Sequence, residues 1–591
     1  MDKKREINMQ KWKVVYSFIL MALVSCGETG VQKLPGADLV IKNANIWTGD
    51  TAQPWVEAMA IRDKTIVLTG TNEEVSRLVD TTTEVIDTPT GMVVPGFIDS
   101  HVHFLTGGFS LSSVKLRDAQ NKAEFVGRIK AYAETLAPGD WIQNGDWDHE
   151  NWGGELPSHE WVDNITPNNP LLINRLDGHM MLANAAAMEA ANVTADTPDV
   201  KGGEIVRDKE GNPTGIFKDN AMDLILRVVP SPTAAQLDRA LDAASRYVAS
   251  QGVTSVHDMS NWQSLATFRR AAGRRTLKTR IYQSVPLKDW QRLAKEIEIN
   301  GRGDNWLRIG GLKGFMDGSL GSHTAAFFQP FTDTPSDRGF FINDPADMAG
   351  WINAADEAGL QVLVHAIGDR AISTLLDIYA EVSAEVETAA IRENENETGT
   401  ADSAEQEPTP IKKDRRFRIE HAQHIDPQDF KRFFDLNVIA SMQPYHAIDD
   451  GRWAEKVIGS ERAKSTYAFK SLLDAGVKVA FGSDWFVAPP IPLLGIYAAV
   501  TRSTLDEANP NGWIPAEKIT VEEALTAYTS TAAYASFEEN IKGQLKPGLL
   551  ADFVILNKNL TEIPAEEIRD TLVMRTVIGG KTVYQRDKYR E

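Results

Sequence analysis

Eight short apolar runs, separated by stretches with helical patterning, constrain this chain more than anything else in it. They are "GFIDSHVH" from Gly96, "GVTSVHDM" from Gly252, "TRIYQSV" from Thr279, "RIGGLKGFMDG" from Arg308, "QVLVHAIGD" from Gln361, "RFRIEHAQH" from Arg416, "VIASMQPYHA" from Val438 and "VKVAFGSDW" from Val477. Strands that alternate with helices form parallel sheets. Eight such units predict a (β/α)8 barrel of the TIM type, in the α/β class. Several of the runs end in His, Lys or Asp, at the C-terminal strand ends where barrel sites are built.

The two ends of the chain have a different texture. "ADLVIKNANIWTG", "EAMAIRDKTIVLTG" and "TTEVIDTPTGMVV" alternate apolar and polar residues and break at Gly, Asn or Asp, and "ADFVILNKNL" and "RTVIGGKTVYQ" repeat the pattern near the C-terminus. Residues 37–93 and 541–591 therefore predict one small composite β-sandwich domain built from both termini, flanking a barrel over 94–540. About 150 residues separate the first two barrel runs, far more than one helix and two loops need. Residues 105–245 or thereabouts are read as an insertion after the first barrel strand that folds over the barrel mouth, with a hairpin at Gly211-Asn212. A second segment, about 384–412, is acidic and short of large apolar side chains, and is expected to be a disordered or poorly ordered surface loop.

A net charge of −20 excludes a nucleic-acid backbone as partner, since phosphate binding needs a basic face. At the N-terminus, Lys3, Lys4, Arg5, Lys11 and Lys13 precede an apolar run from Val14 to Val24, too short to span a bilayer and laid out as a secretory signal. The run ends Leu23-Val24-Ser25-Cys26-Gly27, which resembles a bacterial lipobox whose Cys is acylated. The expectation is a lipoprotein signal peptide over 1–25, lipidation at Cys26, a tether over 26–36, and an exported protein lipid-anchored to a bacterial membrane and facing the periplasm. Cys26 is the sole cysteine, so no internal disulfide can form. Membrane contact would run through that anchor only, and a homo-oligomer is compatible with the sequence.

The chain has 11 histidines, several of them at the predicted strand ends. His101 and His103 are two apart, so on a strand both imidazoles face one way and can hold one divalent metal. His365, His421 and Asp484 each follow an apolar run that places them at a barrel mouth, completing an imidazole and carboxylate set suited to zinc or a similar ion. Lys313 ends a glycine-rich strand, where burial lowers an amine pKa. Such an amine can take up carbon dioxide to form a carbamate that bridges two metals.

"VVPGFIDSHVHF", "GVTSVHD", "KGFMDGSLGSHTAAF", "HAIGDRA", "RIEHAQHI", "FGSDWFVAPPIPLLGIYAAVTR" and "KGQLKPGLLADFVIL" together resemble the amidohydrolase superfamily. More narrowly they are similar to its amidohydrolase 3 (YtcJ-like) branch, which includes N-substituted formamide deformylases. "GDWDHENWGGELPSHEWVD", "LDGHMMLANAAAM" and "GGEIVRDKEGNPTGIFKDNAM" resemble the insertion of that branch, and the likeness runs in order over about 37–588. The resemblance implies one or two divalent ions, zinc by ligand type, held by His101, His103, His365, His421 and Asp484, with Lys313 at the position carbamylated in two-metal members. His179, Asp317 and His446 match motif positions that suit substrate contacts. Trp147 and Trp152, with Trp485 and Phe486, are candidates for an aromatic wall. His257 is expected to line the barrel, His424 to orient His421, and Asp99 to orient a neighbour.

The implied chemistry is hydrolysis of a non-peptide carbon–nitrogen bond, amide or formamide-like, by a metal-bound hydroxide, with Asp484 shuttling the proton and a small-molecule amide as substrate. The alternatives are cyclic imide or dipeptide hydrolysis at the same site and, from another class, a catalytically inactive binding lipoprotein.

Overall fold

The computed structural model describes residues 36–397 and 413–587, excepting the side chains of 385–397. Residues 1–25, Cys26 and nearly all of the expected tether lie outside the described residues. Eight parallel strands follow one another in chain order: β1 (Phe97–Val102), β2 (Val253–Met259), β3 (Arg280–Pro286), β4 (Leu307–Phe315), β5 (Gln361–Ala366), β6 (Arg418–His421), β7 (Ile439–Met442) and β8 (Val479–Phe481). The ring closes just past β8, where Val102 bridges Trp485 in parallel and Asp484 N–H donates to His101 O at 2.7 Å. The architecture is therefore the TIM-type barrel that the eight apolar runs imply.

Strands buried on both faces read as continuous apolar runs. In β5, Val362, Leu363 and Val364 are all fully buried, and Val362 and Val364 join the core shared with the surrounding helices. The barrel interior is more polar than that core, holding His257, Tyr282, Arg418 and Glu420 with almost no exposure.

The two termini form two stacked sheets. Met92–Pro95 pairs antiparallel with Phe553–Leu556, which pairs antiparallel with Val573–Ile578, so one six-stranded sheet holds strands from both ends of the chain. A four-stranded sheet centred on Leu39–Lys42 and Ala58–Arg62 packs on it through Ile41, Met59, Val93, Phe553 and Ile555. The chain leaves this unit at Pro95, and β1 begins at Phe97.

Between β1 and β2 lies a five-stranded sheet whose strands fall within residues 142–219. Its inner strand Leu171–Asn174, beside the central Met180–Ala183, shows the strand period of two. Leu171 and Ile173 pack on one face with Phe125, Trp147 and Leu182, and Leu172 on the other with Phe217 and Ile225. The antiparallel pair Gly203–Arg207 and Pro213–Asp219 turns at Gly211, where φ is +91°. Helix Ala234–Ser250 then returns the chain to β2. A capping box of Thr233 and Gln236 starts it, and Leu237, Leu241, Ala244 and Val248 form its buried stripe.

The segment 384–412 differs from the expected loop over its first part. Helix Asp369–Glu397 continues through it, because "EVETAAIRENENE" is rich in helix-favouring Ala, Glu and Arg despite lacking an apolar face. Residues 398–412 lie outside the described residues.

Candidate metal centre

Strand β1 turns its end into the barrel mouth and presents His101, which is fully buried. Its Nδ1 lies 2.6 Å from Glu420 Oε2, so it donates there and leaves Nε2 facing the mouth. At the end of β6, His421 has φ +73°, a left-handed conformation that non-glycine residues seldom take. That twist turns it off the strand alternation, and its Nδ1 lies 2.7 Å from Gln443 Oε1, again leaving Nε2 inward. Asp484, at φ +59°, follows β8 by three residues. Asp99 holds this turn by accepting from Ser483 N–H at 2.8 Å and from Ser483 Oγ–H at 2.6 Å, the orienting role expected of it. Glycine at 482 is required here, since a Cβ would stand 2.5 Å from His101 N.

Among the described residues, His101, His421 and Asp484 are all buried, and each offers a ligand atom within 4.8 Å of the others. Asp484 Oδ1 lies 3.4 Å from His101 Nε2 and 3.3 Å from His103 Nε2, yet no directed hydrogen bond satisfies it. A buried carboxylate oxygen with no donor, faced by imidazole nitrogens, fits a divalent cation. The protonation states fit as well. Burial holds His101, His365 and His421 well below the ordinary imidazole value, which keeps them neutral. Burial pushes the Asp484 carboxyl up, yet the net direction is below its usual range.

The other expected ligands border this trio. Lys313 Nζ lies 3.1 Å from His101 Nε2, and burial pushes its amine down to about 8. His365 packs on His421 with ring centroids 4.4 Å apart, while its Nε2 lies 3.0 Å from Gly318 O. A cavity of about 510 Å³ opens on all of them, walled by Met181, Met222, Met259, Phe315, Trp351 and Phe486. His179 lines it too, with Nδ1 2.6 Å from Asp219 Oδ1. His446 stacks on His421 at 6.5 Å, and its Nε2 is buried without a hydrogen bond.

Five of the expected residues lie elsewhere. Trp147 does not reach the cavity; it is fully buried in the core of the inserted sheet, and its indole N–H donates to Ile173 O at 3.1 Å. Trp152 packs on Phe125 and Trp161, and Trp485 packs on Phe104 and Tyr247, so Phe486 alone of the proposed aromatic wall faces the cavity. Asp317 is fully buried and accepts from the N–H groups of Ala326, Ile367 and Gly368, tying the loop after β4 to the end of β5. His424 Nδ1 bonds Thr466 Oγ1 at 2.8 Å, and Gln443 rather than His424 orients His421. His257 does line the barrel, 3.0 Å from Arg418 Nη1.

A charged network that the sequence reading missed joins the insertion to the barrel. Arg175 is almost fully buried and donates to Asp177 at 2.7 Å, to Asp148 at 3.2 Å and to His149 Nδ1 at 3.2 Å. Asp177 in turn accepts from Ser319 Oγ at 2.5 Å and Ser322 Oγ at 2.9 Å on the barrel side. Arg175→Lys keeps the charge but cannot fork to both carboxylates, so about 1–3 kcal/mol of stability should be lost for the donors left unmade. A shift in the chemical denaturation midpoint measures it.

The fold and this centre together define a metal-dependent barrel hydrolase. The chain belongs to the Amidohydro_3 amidohydrolase family, whose model matches residues 84–584. It is 38% identical over 563 residues to Protein LONG AFTER FAR-RED 3 of Arabidopsis thaliana, covering 93% of this chain and 92% of that one. It is 27% identical to N-substituted formamide deformylase of Arthrobacter pascens, over 93% of this chain and 98% of that protein. Among solved structures, an uncharacterized metal-dependent hydrolase from Pyrococcus furiosus superposes with a TM-score of 0.67 at 27% identity, covering 89% of this chain and all of that one.

Proposed function

We propose that this protein hydrolyses a non-peptide carbon–nitrogen bond, amide or formamide-like, in a small molecule with an apolar substituent. The observation that carries the reading is the unsatisfied Asp484 carboxylate facing His101 and His103 at the head of an apolar cavity. His101, His421 and Asp484 would hold a divalent ion, zinc by the preference of imidazole and carboxylate donors, with His103, His365 and a carbamylated Lys313 as further ligands. When bound, such an ion supplies a Lewis acid for the carbonyl oxygen and lowers the pKa of water.

The residues around it do the rest. Asp484, ionised and beside the reacting centre, accepts the proton of the attacking water and returns it to the departing nitrogen. Glu420 and Gln443 hold His101 and His421 in one tautomer, so their Nε2 lone pairs stay aimed at the centre. The methionines and aromatics of the cavity wall take the substituent and exclude water. The likeness to a formamide deformylase over nearly its whole length supports the same bond type. The N-terminal signal and Cys26 belong to this reading as an export and lipid-anchoring segment.

The test is metal removal. Protein stripped by a chelator should release no amine from N-formyl and N-acyl arylalkylamines, and zinc should restore the release. His101→Asn should lose bound metal in elemental analysis. Equal amine release from stripped and reloaded protein would sink the reading.

A further inference from the structure

The inserted sheet brings to the barrel mouth one side-chain pair that the proposed chemistry leaves unused. His179 directly precedes the strand Met180–Ala183, and Asp219 closes the strand Pro213–Asp219. These strands pair antiparallel with Met180 opposite Lys218, so the register sets His179 against Asp219, and Asp219 N–H donates to His179 O at 3.0 Å. Residues opposite each other on such a pair present their side chains on one face. His179 lines the cavity there, with its ring centroid 4.8 Å from that of His365 and 6.3 Å from that of Phe315.

Holding the sheet together does not explain this pair. Asp219 has φ +46° and ψ −125°, a conformation that a residue with a side chain seldom takes. Its carboxylate is almost fully buried. Oδ1 lies 2.6 Å from His179 Nδ1, and Oδ2 has no hydrogen-bond partner among the described residues. Both residues belong to the insertion, and backbone bonds already join their strands, so their contact does not tie the insertion to the barrel. Asp177 does that, accepting from His179 N–H at 3.2 Å and from Ser319 and Ser322 on the barrel side. Backbone strain and an unpaired buried carboxylate oxygen concentrate at functional sites.

Asp219 takes the Nδ1–H of His179 whether or not the ring carries a second proton, so Nε2 is the atom left for a ligand. Among the described residues, His179 does not belong to the group of ligand atoms that His101, His421 and Asp484 bring together. We propose that His179 is a catalytic residue supplied by the insertion: its Nε2 hydrogen-bonds the amide group under attack, and Asp219 is the positioning residue that holds the imidazole for this contact. The contact fixes the amide plane, so the carbonyl carbon meets the attacking water in one orientation. This rests on the carbon–nitrogen hydrolysis reading and adds to it a residue from outside the barrel.

His179→Asn tests the contact, because the asparagine amide can still donate to Asp219 while nothing stands in the place of Nε2. With zinc-loaded protein and an N-formyl arylalkylamine, kcat should fall about 100–1000-fold, with bound zinc and the denaturation midpoint at the wild-type level. Asp219→Asn should lower kcat at least about tenfold. Added to His179→Asn, it should change kcat by less than about twofold, since Asp219 acts through the ring. A folded, fully loaded His179→Asn variant within about threefold of wild type overturns the proposal. Loss of zinc in step with activity also overturns it, by making His179 a ligand, and effects that multiply in the double variant overturn the positioning role of Asp219. If His179→Asn does not fold, Asp219→Asn decides, and unchanged kcat and KM in that variant overturn the proposal. Fully loaded wild-type protein that releases no amine from any N-formyl or N-acyl compound overturns the parent reading instead.

Discussion

Replacing Glu420 with glutamine is expected to lower stability by about 3–5 kcal/mol and to weaken metal binding about 10–100-fold. Glu420 is fully buried inside the barrel, where its Oε2 takes the His101 Nδ1–H at 2.6 Å and an Arg418 Nη2–H at 3.1 Å. Arg418 is equally buried. Its remaining contacts are neutral: Ser100 O at 2.7 Å, Ser441 Oγ at 2.9 Å and His257 Nδ1 at 3.0 Å. Glutamine matches the shape of glutamate but leaves the guanidinium buried without a counter-charge, and that uncompensated charge is the costly term. The second effect has a separate cause. An amide can turn its NH2 toward His101 and favour the tautomer with the proton on Nε2, the nitrogen that has to stay bare. Denaturation of metal-free protein reads the first effect, and chelator competition on the folded variant reads the second. A midpoint and an affinity both equal to wild type would show that Glu420 only fills space.

The barrel was legible because its strands are buried on both faces, so each prints an uninterrupted apolar run between helical stretches. Its mouth was legible for a related reason: His or Asp directly after such a run stands at the strand end whatever the loops do. His101, His103, His365, His421 and Asp484 were read on that basis and Lys313 from its place on a glycine-rich strand; all but His101 line the one cavity, and His101 stands behind it within ligand distance of His421 and Asp484. Partner choice was not legible. Gln443 orients His421 across one barrel stagger, and His424, three residues from His421 in sequence, faces Thr466 instead. Sequence proximity pointed to the wrong side chain because the left-handed turn at His421 and Ala422 reverses the alternation there. A signal for Arg418 and Glu420 did exist. They sit two apart on a strand, so they share one face, and two opposite charges on the inner face of a barrel strand have to pair.

The insertion was visible as excess length, but not as a wall. Trp147 and Trp152 were candidates for an aromatic wall, yet a sheet of this size needs its own core, and large aromatics fill it first. The residues that do reach the centre from the insertion are polar and lie in or beside a tight turn: Arg175, Asp177 and His179, all between the strands Leu171–Asn174 and Met180–Ala183. The contacts of Asp177 with Ser319 and Ser322 span more than 140 residues, and no local pattern encodes such a pairing.

Asp484→Asn separates the two roles that one carboxylate has in the proposed chemistry. Asparagine keeps the side-chain shape and one oxygen that can coordinate an ion, and Asp99 still holds Ser483 and with it the turn that aims residue 484. What it loses is the capacity to take a proton at neutral pH. The wild-type carboxyl has that capacity because it stays below its usual range, ionised, against the push of burial. The expected result is a fall in kcat of about 10²–10⁴-fold with bound metal near the wild-type level and KM little changed. A residue that served only as a ligand would behave otherwise: turnover would fall in proportion to metal content, and excess zinc would bring it back. His101→Asn is the comparison for that outcome, since it removes an imidazole donor and leaves the carboxylate in place. Turnover of fully loaded Asp484→Asn within about tenfold of wild type would assign the proton transfer elsewhere. His446 would then be the next to test, because its buried Nε2 has no hydrogen-bond partner among the described residues and its ring stacks on His421 at 6.5 Å.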